Sequence, residues 1–350
     1  MNQKKKVLFF TPSTVGGAER VTLTIAKMLP QDEYEVRIVY ICDNIGDLRK
    51  FVPTWIRTEH IKVNTIWDFV TFRMFCLMKR EKPFAVFSSF HYLNSRTITS
   101  AHMAGVKRII IRNNIGWSIW GLSCKILARL TFEKATIIVS QSEEMKSEFI
   151  KAFPKLVKKM EAIPNPIDIA TITEKMEYSV SPYQQEKINY VYSGRISPEK
   201  GLEILVEAFA KVKEKRCNAS LTIVGDNTKN VRYYNQLRAI IANKHLENDV
   251  SFVGFQDNPY RYVSYADCFV LPSRREGNPN ALHEAMYLQV PVVATRSVPV
   301  VEQCVTADRG YVVDIDDVDG MANAMLKALG IRNIPSYLYG EEKRFINLFK

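Results

Sequence analysis

The chain has 350 residues, 47% of them hydrophobic and 24% charged. This suits a globular protein of two domains, each with its own core, and excludes a disordered or fibrous chain. Lys and Arg outnumber Asp and Glu by 48 to 37, giving a formal charge of +11. Residues 1–170 hold 26 basic and 15 acidic side chains, and residues 171–350 hold 22 of each, so the first half carries the whole surplus.

Six scattered cysteines without a CxxC pair read as buried, reduced thiols, and the five histidines lack the spacing of a structural zinc site. The opening MNQKKK runs into an apolar stretch too short for a signal peptide. No window approaches 18 apolar residues, so no transmembrane helix is expected. The expectation is a cytoplasmic protein whose contact with the inner face of a membrane would be peripheral.

Apolar runs alternate with helical patterns along the chain. VLFFTP (7–12) predicts a strand, followed by a glycine turn and a helix from Ala18 to Leu29. EVRIVYI (35–41) is the next strand. After a less readable stretch come FAVFSS (84–89), a helix near 94–104, RIIIRNN (108–114), ATIIVS (135–140) and the helical SEEMKSEFIKAF. A Pro/Asn loop, IPNPID (163–168), leads through a polar stretch to a second series. This holds INYVYSG (188–194), a helix over 202–215, SLTIVG (220–225), a helix over 231–243, VSFVGF (250–255), DCFVLPS (267–273), a helix over 280–288, VPVVAT (290–295) and GYVVD (310–314). Strands alternating with helices predict parallel sheets covered on both faces. The expected organisation is a domain over 1–170, a linker over 171–187, a second domain over 188–333 and a tail over 334–350.

Three segments could carry chemistry. In TPSTVGGAER (11–20), Gly16 and Gly17 stand between a strand and a helix, where glycine allows either close backbone approach to a ligand or a plain tight turn. The dinucleotide pattern GxGxxG is absent. Glu19 falls in the helix's first turn, where a carboxylate is favourable in any case. In SGRISPEKGLEIL (193–205), Arg195 and Lys200 precede a helix and could hold a phosphate, or could be solvated turn charges. In SRREGNPNALHEAM (273–286), Glu276 and Glu284 could accept hydrogen bonds from sugar hydroxyls, or pair with Arg274 or Arg275. His283 reads as structural. The acidic VVDIDDVD (312–319) holds Asp314 and Asp316, but helix capping by Asp319 and surface charge explain it better than a metal site.

Together these motifs resemble the large retaining family 4 of GT-B glycosyltransferases, with their "glycosyl transferases group 1" domain. The resemblance rests on GGAER, IPNPID, GRISPEKG, LTIVG, FVGF and EGNPNALHEAM in that order, and is best over 188–320. It implies an α/β chain of GT-B type, two Rossmann-like αβ domains facing each other across a cleft, with the tail 334–350 packing back on the first.

It also implies a retaining hexosyltransferase that needs no cofactor or metal. Such an enzyme moves a hexose or N-acetylhexosamine from a nucleotide diphosphate sugar, UDP ahead of GDP, to a saccharide or polyprenyl-linked saccharide in surface polysaccharide, lipopolysaccharide or capsule biosynthesis. By the same resemblance, Arg195 and Lys200 would bind the diphosphate, Glu276 would face the sugar and Glu284 would bond the ribose. Gly277, Asn278, Pro279 and Asn280 would line the sugar and phosphate pocket, with Gly254 near the base. Gly16 and Gly17 would approach the donor from the first domain, and His91 is placed either against the sugar or in the core. Arg112 and Asn113 fall in expected cleft-facing loop territory. Asn278 departs from the aromatic or small apolar residue usual after EG.

Two other readings are a GT-B epimerase or phosphorylase-like enzyme, and a nucleotide-sugar or polyanion binding protein without transferase activity. No basic, aromatic-laced groove or known module supports nucleic-acid binding. Two segments suit peripheral contact with an anionic membrane: 116–135, with Trp117 and Trp120, and 146–160, with Lys151, Lys155, Lys158 and Lys159.

Overall fold

The computed structural model describes residues 3–63, 69–177, 179–337 and 341–350. The chain divides into two compact units, Met1–Pro166 with Tyr339–Lys350, and Ile167–Leu338.

The first unit holds seven parallel strands: β1 (Lys5–Thr11), β2 (Tyr34–Cys42), β3 (Arg57–Lys62), β4 (Ala85–Ser88), β5 (Arg108–Asn113), β6 (Ile137–Ser140) and β7 (Met160–Ala162), in the order β3-β2-β1-β4-β5-β6-β7. The central strands are apolar on both faces, with Val7, Leu8, Phe9 and Phe10 wholly buried along β1. One face packs under the helices Val70–Glu81, His91–Ala104, Leu122–Thr131 and Glu143–Ala152. The other face packs under the helix Gly17–Lys27 and the C-terminal helix Glu342–Asn347.

That C-terminal segment is part of the core. Phe345, Leu348 and Phe349 are buried, and the Phe349 ring lies 5.5 Å from that of Phe9 and 6.1 Å from that of Phe87. Tyr34 donates its hydroxyl to the Phe349 carbonyl at 3.1 Å. Of the predicted tail 334–350, residues 338–340 lie outside the described residues.

The second unit has six parallel strands: β8 (Ile188–Ser193), β9 (Ala219–Val224), β10 (Val250–Gly254), β11 (Cys268–Leu271), β12 (Val292–Thr295) and β13 (Gly310–Val313), in the order β10-β9-β8-β11-β12-β13. Its single core gathers the inner faces of these strands with the helices Leu202–Lys215, Val231–Asn243, Asn280–Tyr287 and Val318–Ala328.

The structure differs from the sequence reading at several points. The stretch read as a linker over 171–187 begins inside a helix, Ile169–Glu177, which buries Ile172 and packs against the helix Tyr260–Ser264 of its own unit. Arg112 and Asn113 are not loop residues. They end β5 and are buried, with Arg112 donating to the side-chain oxygens of Asn165 and Gln141. The N-cap of the helix Val318–Ala328 is Asp317, which accepts from the Gly320 amide at 2.8 Å, whereas Asp319 pairs with Lys211 at 2.5 Å.

Replacing Phe349 by Ala removes a ring from a closed three-ring cluster. It should cost the first unit about 3–5 kcal/mol, read as a lower midpoint in denaturant unfolding followed by circular dichroism, while Lys350→Ala leaves the midpoint unchanged.

Candidate active site

In an open parallel sheet, ligands bind beyond the carboxyl ends of the strands where strand order reverses. In the second unit that point lies between β8 and β11, which pair in register at Tyr190 and Cys268. The loop after β8 carries Arg195, a 3₁₀ turn (Pro198–Lys200) and Gly201, and the loop after β11 carries Ser273, Glu276 and Asn278.

The two loops are joined by charge. The Lys200 ammonium lies 2.6 Å from Glu276 Oε1, and their side chains are only 13% and 10% exposed. The Ser273 hydroxyl donates to the same carboxylate oxygen at 2.7 Å. Burying two charges is costly unless they are paired, and removing one partner of such a pair typically costs 3–5 kcal/mol. Gly201 has φ +61°, and a Cβ there would collide with the Pro272 carbonyl. This turn therefore requires glycine, which brings the ends of β8 and β11 together.

Arg274 ties the neighbourhood further. Its guanidinium meets Glu203 at 2.6 Å, Asp316 at 2.8 Å and the Pro198 carbonyl at 2.8 Å, and its amide donates to the Glu199 carbonyl at 2.9 Å. Together with the Arg296–Asp314 pair, this engages Asp314 and Asp316 with arginine. Among the described residues no group of three or more His, Cys, Asp or Glu could hold a metal ion.

Arg195 stands apart from this pair. Its side chain is 73% exposed, reaching Glu199 at 3.4 Å, while its carbonyl is held by the buried Tyr192 hydroxyl at 2.7 Å. It is an exposed surface cation whose backbone carbonyl is held from below. At the N-terminus of the helix Leu202–Lys215, the Leu202 amide donates to the Tyr233 hydroxyl at 3.0 Å, and that hydroxyl in turn donates to Glu203.

Glu284 is half-buried one turn into the helix Asn280–Tyr287. Asn278 and Pro279 are buried, while Gly277 and Asn280 are half-buried. Asn278 turns its side-chain oxygen to His283 Nε2 at 2.6 Å, and His283 Nδ1 lies 2.8 Å from the Tyr337 hydroxyl. With a Nε2–H donor and a Nδ1 acceptor, a neutral imidazole satisfies both contacts, and burial holds the His283 pKa down at about 4. The departure from the family pattern at Asn278 thus anchors the loop inward.

Beside the pair, the chain leaves β8 and β9 through Gly194 and Gly225, and β10 ends in Gly254. The Gly194 amide bonds the Val224 carbonyl at 2.9 Å and the Gly225 amide the Gly254 carbonyl at 3.0 Å. A Cβ on Gly225 would strike the Gly194 carbonyl. This makes a floor without side chains. The repeated strand-end glycine in YSG, IVG and FVG signals it, although the sequence reading took up only Gly254.

The switch point of the first unit lies between β1 and β4. Gly16 caps the helix Gly17–Lys27, and the Glu19 carboxylate folds over Gly16 and accepts from the Thr14 hydroxyl at 2.5 Å. His91 opens the helix after β4, its ring 5.6 Å from that of Trp120 and 5.3 Å from that of Tyr92. Burial lowers its pKa, which favours a neutral ring.

Two family models match the chain: "Glycosyltransferase Family 4" over residues 15–171 and "Glycosyl transferases group 1" over residues 177–343. The chain belongs to the family 4 glycosyltransferases. An uncharacterized glycosyltransferase of Methanocaldococcus jannaschii is 27% identical over 259 residues, 68% of this chain and 62% of its own length, so less than two thirds of that relative is spanned. A Campylobacter jejuni N-acetylgalactosamine-N,N'-diacetylbacillosaminyl-diphospho-undecaprenol 4-alpha-N-acetylgalactosaminyltransferase is 26% identical over 87% of this chain and 85% of its own. Among solved structures, Anabaena Alr3699/HepE in complex with UDP-glucose superposes with a TM-score of 0.77 at 18% identity, covering 99% of this chain and 92% of that one. The glycosyltransferase thus has the GT-B fold of two Rossmann-like units.

The His283 anchor has a pH signature. Because its folded pKa lies below the usual 6.5, its contribution is fully present above pH 6.5 and is lost as pH falls toward 4. Across that window the wild type should lose about 3 kcal/mol that a His283→Gln variant does not lose. Urea unfolding at a series of pH values measures the difference.

Proposed function

We propose that this glycosyltransferase moves a hexose or N-acetylhexosamine from a nucleotide diphosphate sugar to a hydroxyl of a saccharide or lipid-linked saccharide, with retention of configuration, in surface polysaccharide assembly. The observation that carries the reading is the part-buried Lys200–Glu276 pair at the β8/β11 switch point, beside the glycine floor. A lysine held there by one carboxylate is placed to exchange that partner for a diphosphate.

In this reading Lys200 leaves Glu276 for the diphosphate, and Arg195 folds in from solvent as a second cation with a bidentate fork. Both stabilise the charge that grows on the leaving group. Glu276, released from Lys200, faces the donor sugar, and Glu284 accepts from ribose hydroxyls. The amides of Gly277, Asn278 and Asn280 line the pocket, where Pro279 has no N–H to offer, and Gly254 lies near the base. The acceptor hydroxyl attacks on the face from which diphosphate departs, through an oxocarbenium-like state.

The first unit would take the acceptor. Gly16 and Gly17 would give close backbone approach to the donor, and a neutral His91 would contact the sugar. The UDP complexes of Anabaena HepE favour UDP as the base carrier, and the undecaprenol-linked acceptor named for the Campylobacter relative favours a lipid-linked saccharide. The basic surplus of residues 1–170 suits an anionic acceptor or membrane surface.

The test is a panel of UDP- and GDP-sugars offered with soluble and polyprenyl-linked saccharides, reading nucleotide release and product mass. Transfer from one donor should be found, and Lys200→Ala should lower kcat/KM by about 10²–10³. Tight donor binding without transfer to any acceptor would reject the reading in favour of a binding protein.

A further inference from the structure

The loops that follow β8 and β11 meet through Lys200–Glu276 and through Arg274. The helix that follows β9 reaches the same place with one side chain. Tyr233, in the first turn of the helix Val231–Asn243, is 5% exposed, and its ring fills part of the core of the second unit. Its amide is fixed by the Asn230 side chain at 3.2 Å. A phenylalanine would fill the same apolar space, so packing accounts for the ring and not for the hydroxyl. A buried hydroxyl needs partners, and both of these lie at the start of the helix Leu202–Lys215. The hydroxyl accepts from the Leu202 amide at 3.0 Å and donates to the Glu203 carboxylate. Burial and the adjacent Glu203 carboxylate raise the Tyr233 pKa, so the hydroxyl keeps the proton that it donates.

Leu202 directly follows the turn Pro198–Gly201, which carries Lys200. That turn is clamped at both ends. At its start Arg274 binds the Pro198 carbonyl at 2.8 Å and gives its own amide to the Glu199 carbonyl at 2.9 Å. At its end Tyr233 holds the Leu202 amide. One carboxylate serves both clamps, since Glu203 meets Arg274 at 2.6 Å with one oxygen and accepts from Tyr233 with the other. The Ile204 and Leu205 amides go to the Gly201 carbonyl at 3.1 and 3.3 Å. The helix start thus spends its Leu202, Ile204 and Leu205 amides on the protein itself. What the turn offers an anion is the Lys200 ammonium.

We propose that Tyr233 is a positioning residue of the candidate site. It does not touch the donor; its hydroxyl fixes the turn Pro198–Gly201 so that the Lys200 ammonium stands where Glu276, and then a diphosphate, can take it. The part played with diphosphate rests on the donor reading proposed above, whereas the part played with Glu276 does not. A lysine is a point charge on a flexible stem, so its placement depends on the backbone that carries it. A shift of about 1 Å in that backbone is enough to degrade an aligned charge contact.

The experiment compares the wild type, Tyr233→Phe, Lys200→Gln and the double variant as full chains. Placement is read first, without any donor, by limited acetylation and mass spectrometry. Lys200 should be labelled about three-fold faster in Tyr233→Phe than in the wild type. Lys213, paired with Asp249 at 2.9 Å in the same unit, should be labelled at an unchanged rate. Glu203→Gln, which loosens both clamps from outside the core, should speed Lys200 labelling in the same direction and keeps the test open if Tyr233→Phe folds poorly. Sugar transfer is read second. Tyr233→Phe should lower kcat/KM about ten-fold when Lys200 is present, and leave it within about two-fold when Lys200→Gln is already in place. A hydroxyl with a merely structural role would lower activity by the same factor in both backgrounds. That result, or Lys200 labelling at the wild-type rate in Tyr233→Phe and Glu203→Gln, would overturn the proposal. A wild type that transfers no sugar from any donor would reject the transferase reading instead, and the labelling would still decide the role of Tyr233.

Discussion

The organisation of the second unit depends on one contact, the part-buried ion pair between Lys200 and Glu276. It joins the loops that leave two adjacent strands, β8 and β11, where strand order reverses. The pair exists because Gly201 adopts a left-handed conformation against the Pro272 carbonyl, which lets the two loops approach. Arg274 secures the outer side by binding Glu203, Asp316 and the turn carbonyl of Pro198. His283 secures the inner side by holding Asn278. A charge pair with little water around it is inexpensive only while both members remain. An anionic ligand that offers the lysine a better partner also frees a carboxylate beside it. In the proposed reading, donor binding and exposure of Glu276 would be coupled by this competition.

Strands were legible wherever both faces are buried, because a continuous apolar run is then required. VLFFTP, RIIIRNN and DCFVLPS each correspond to a strand within two residues at either end. The edge strand β3 was not legible, since RTEHIK buries only Ile61 and otherwise reads as a polar loop. The helix Val70–Glu81 was missed for a related reason. Phe72 and Cys76 lie on its exposed side, which blurs the apolar period. In the second unit every strand was read, whereas the short helices Tyr260–Ser264 and Pro299–Cys304 were not.

Site residues divide in the same way. Lys200, Glu276 and Glu284 could be named as charged residues beside glycine and proline turns, but spacing left bland alternatives open and only the resemblance to family 4 implied their roles. Their mutual arrangement could not be read, since Lys200 and Glu276 are 76 positions apart and meet only through strand order. Arg274 looked like one surface charge among several. Its role appears only when Asp316, 42 positions later, is brought back beside it. The helix Leu122–Thr131 shows the converse. Its period is clear in the sequence, but only the structure shows that the large apolar side faces outward. The uneven charge of the chain is confined to residues 1–170, while residues 171–350 are neutral.

The most direct test of this account is calorimetric binding of UDP and GDP to the wild type, Lys200→Gln and Glu276→Gln. If the carboxylate competes with diphosphate for the lysine, Lys200→Gln should weaken binding at least ten-fold, whereas Glu276→Gln should bind at least as tightly as the wild type. A Glu276→Gln chain that loses nucleotide affinity as severely as Lys200→Gln would contradict it, because the pair would then act as a fixed structural unit.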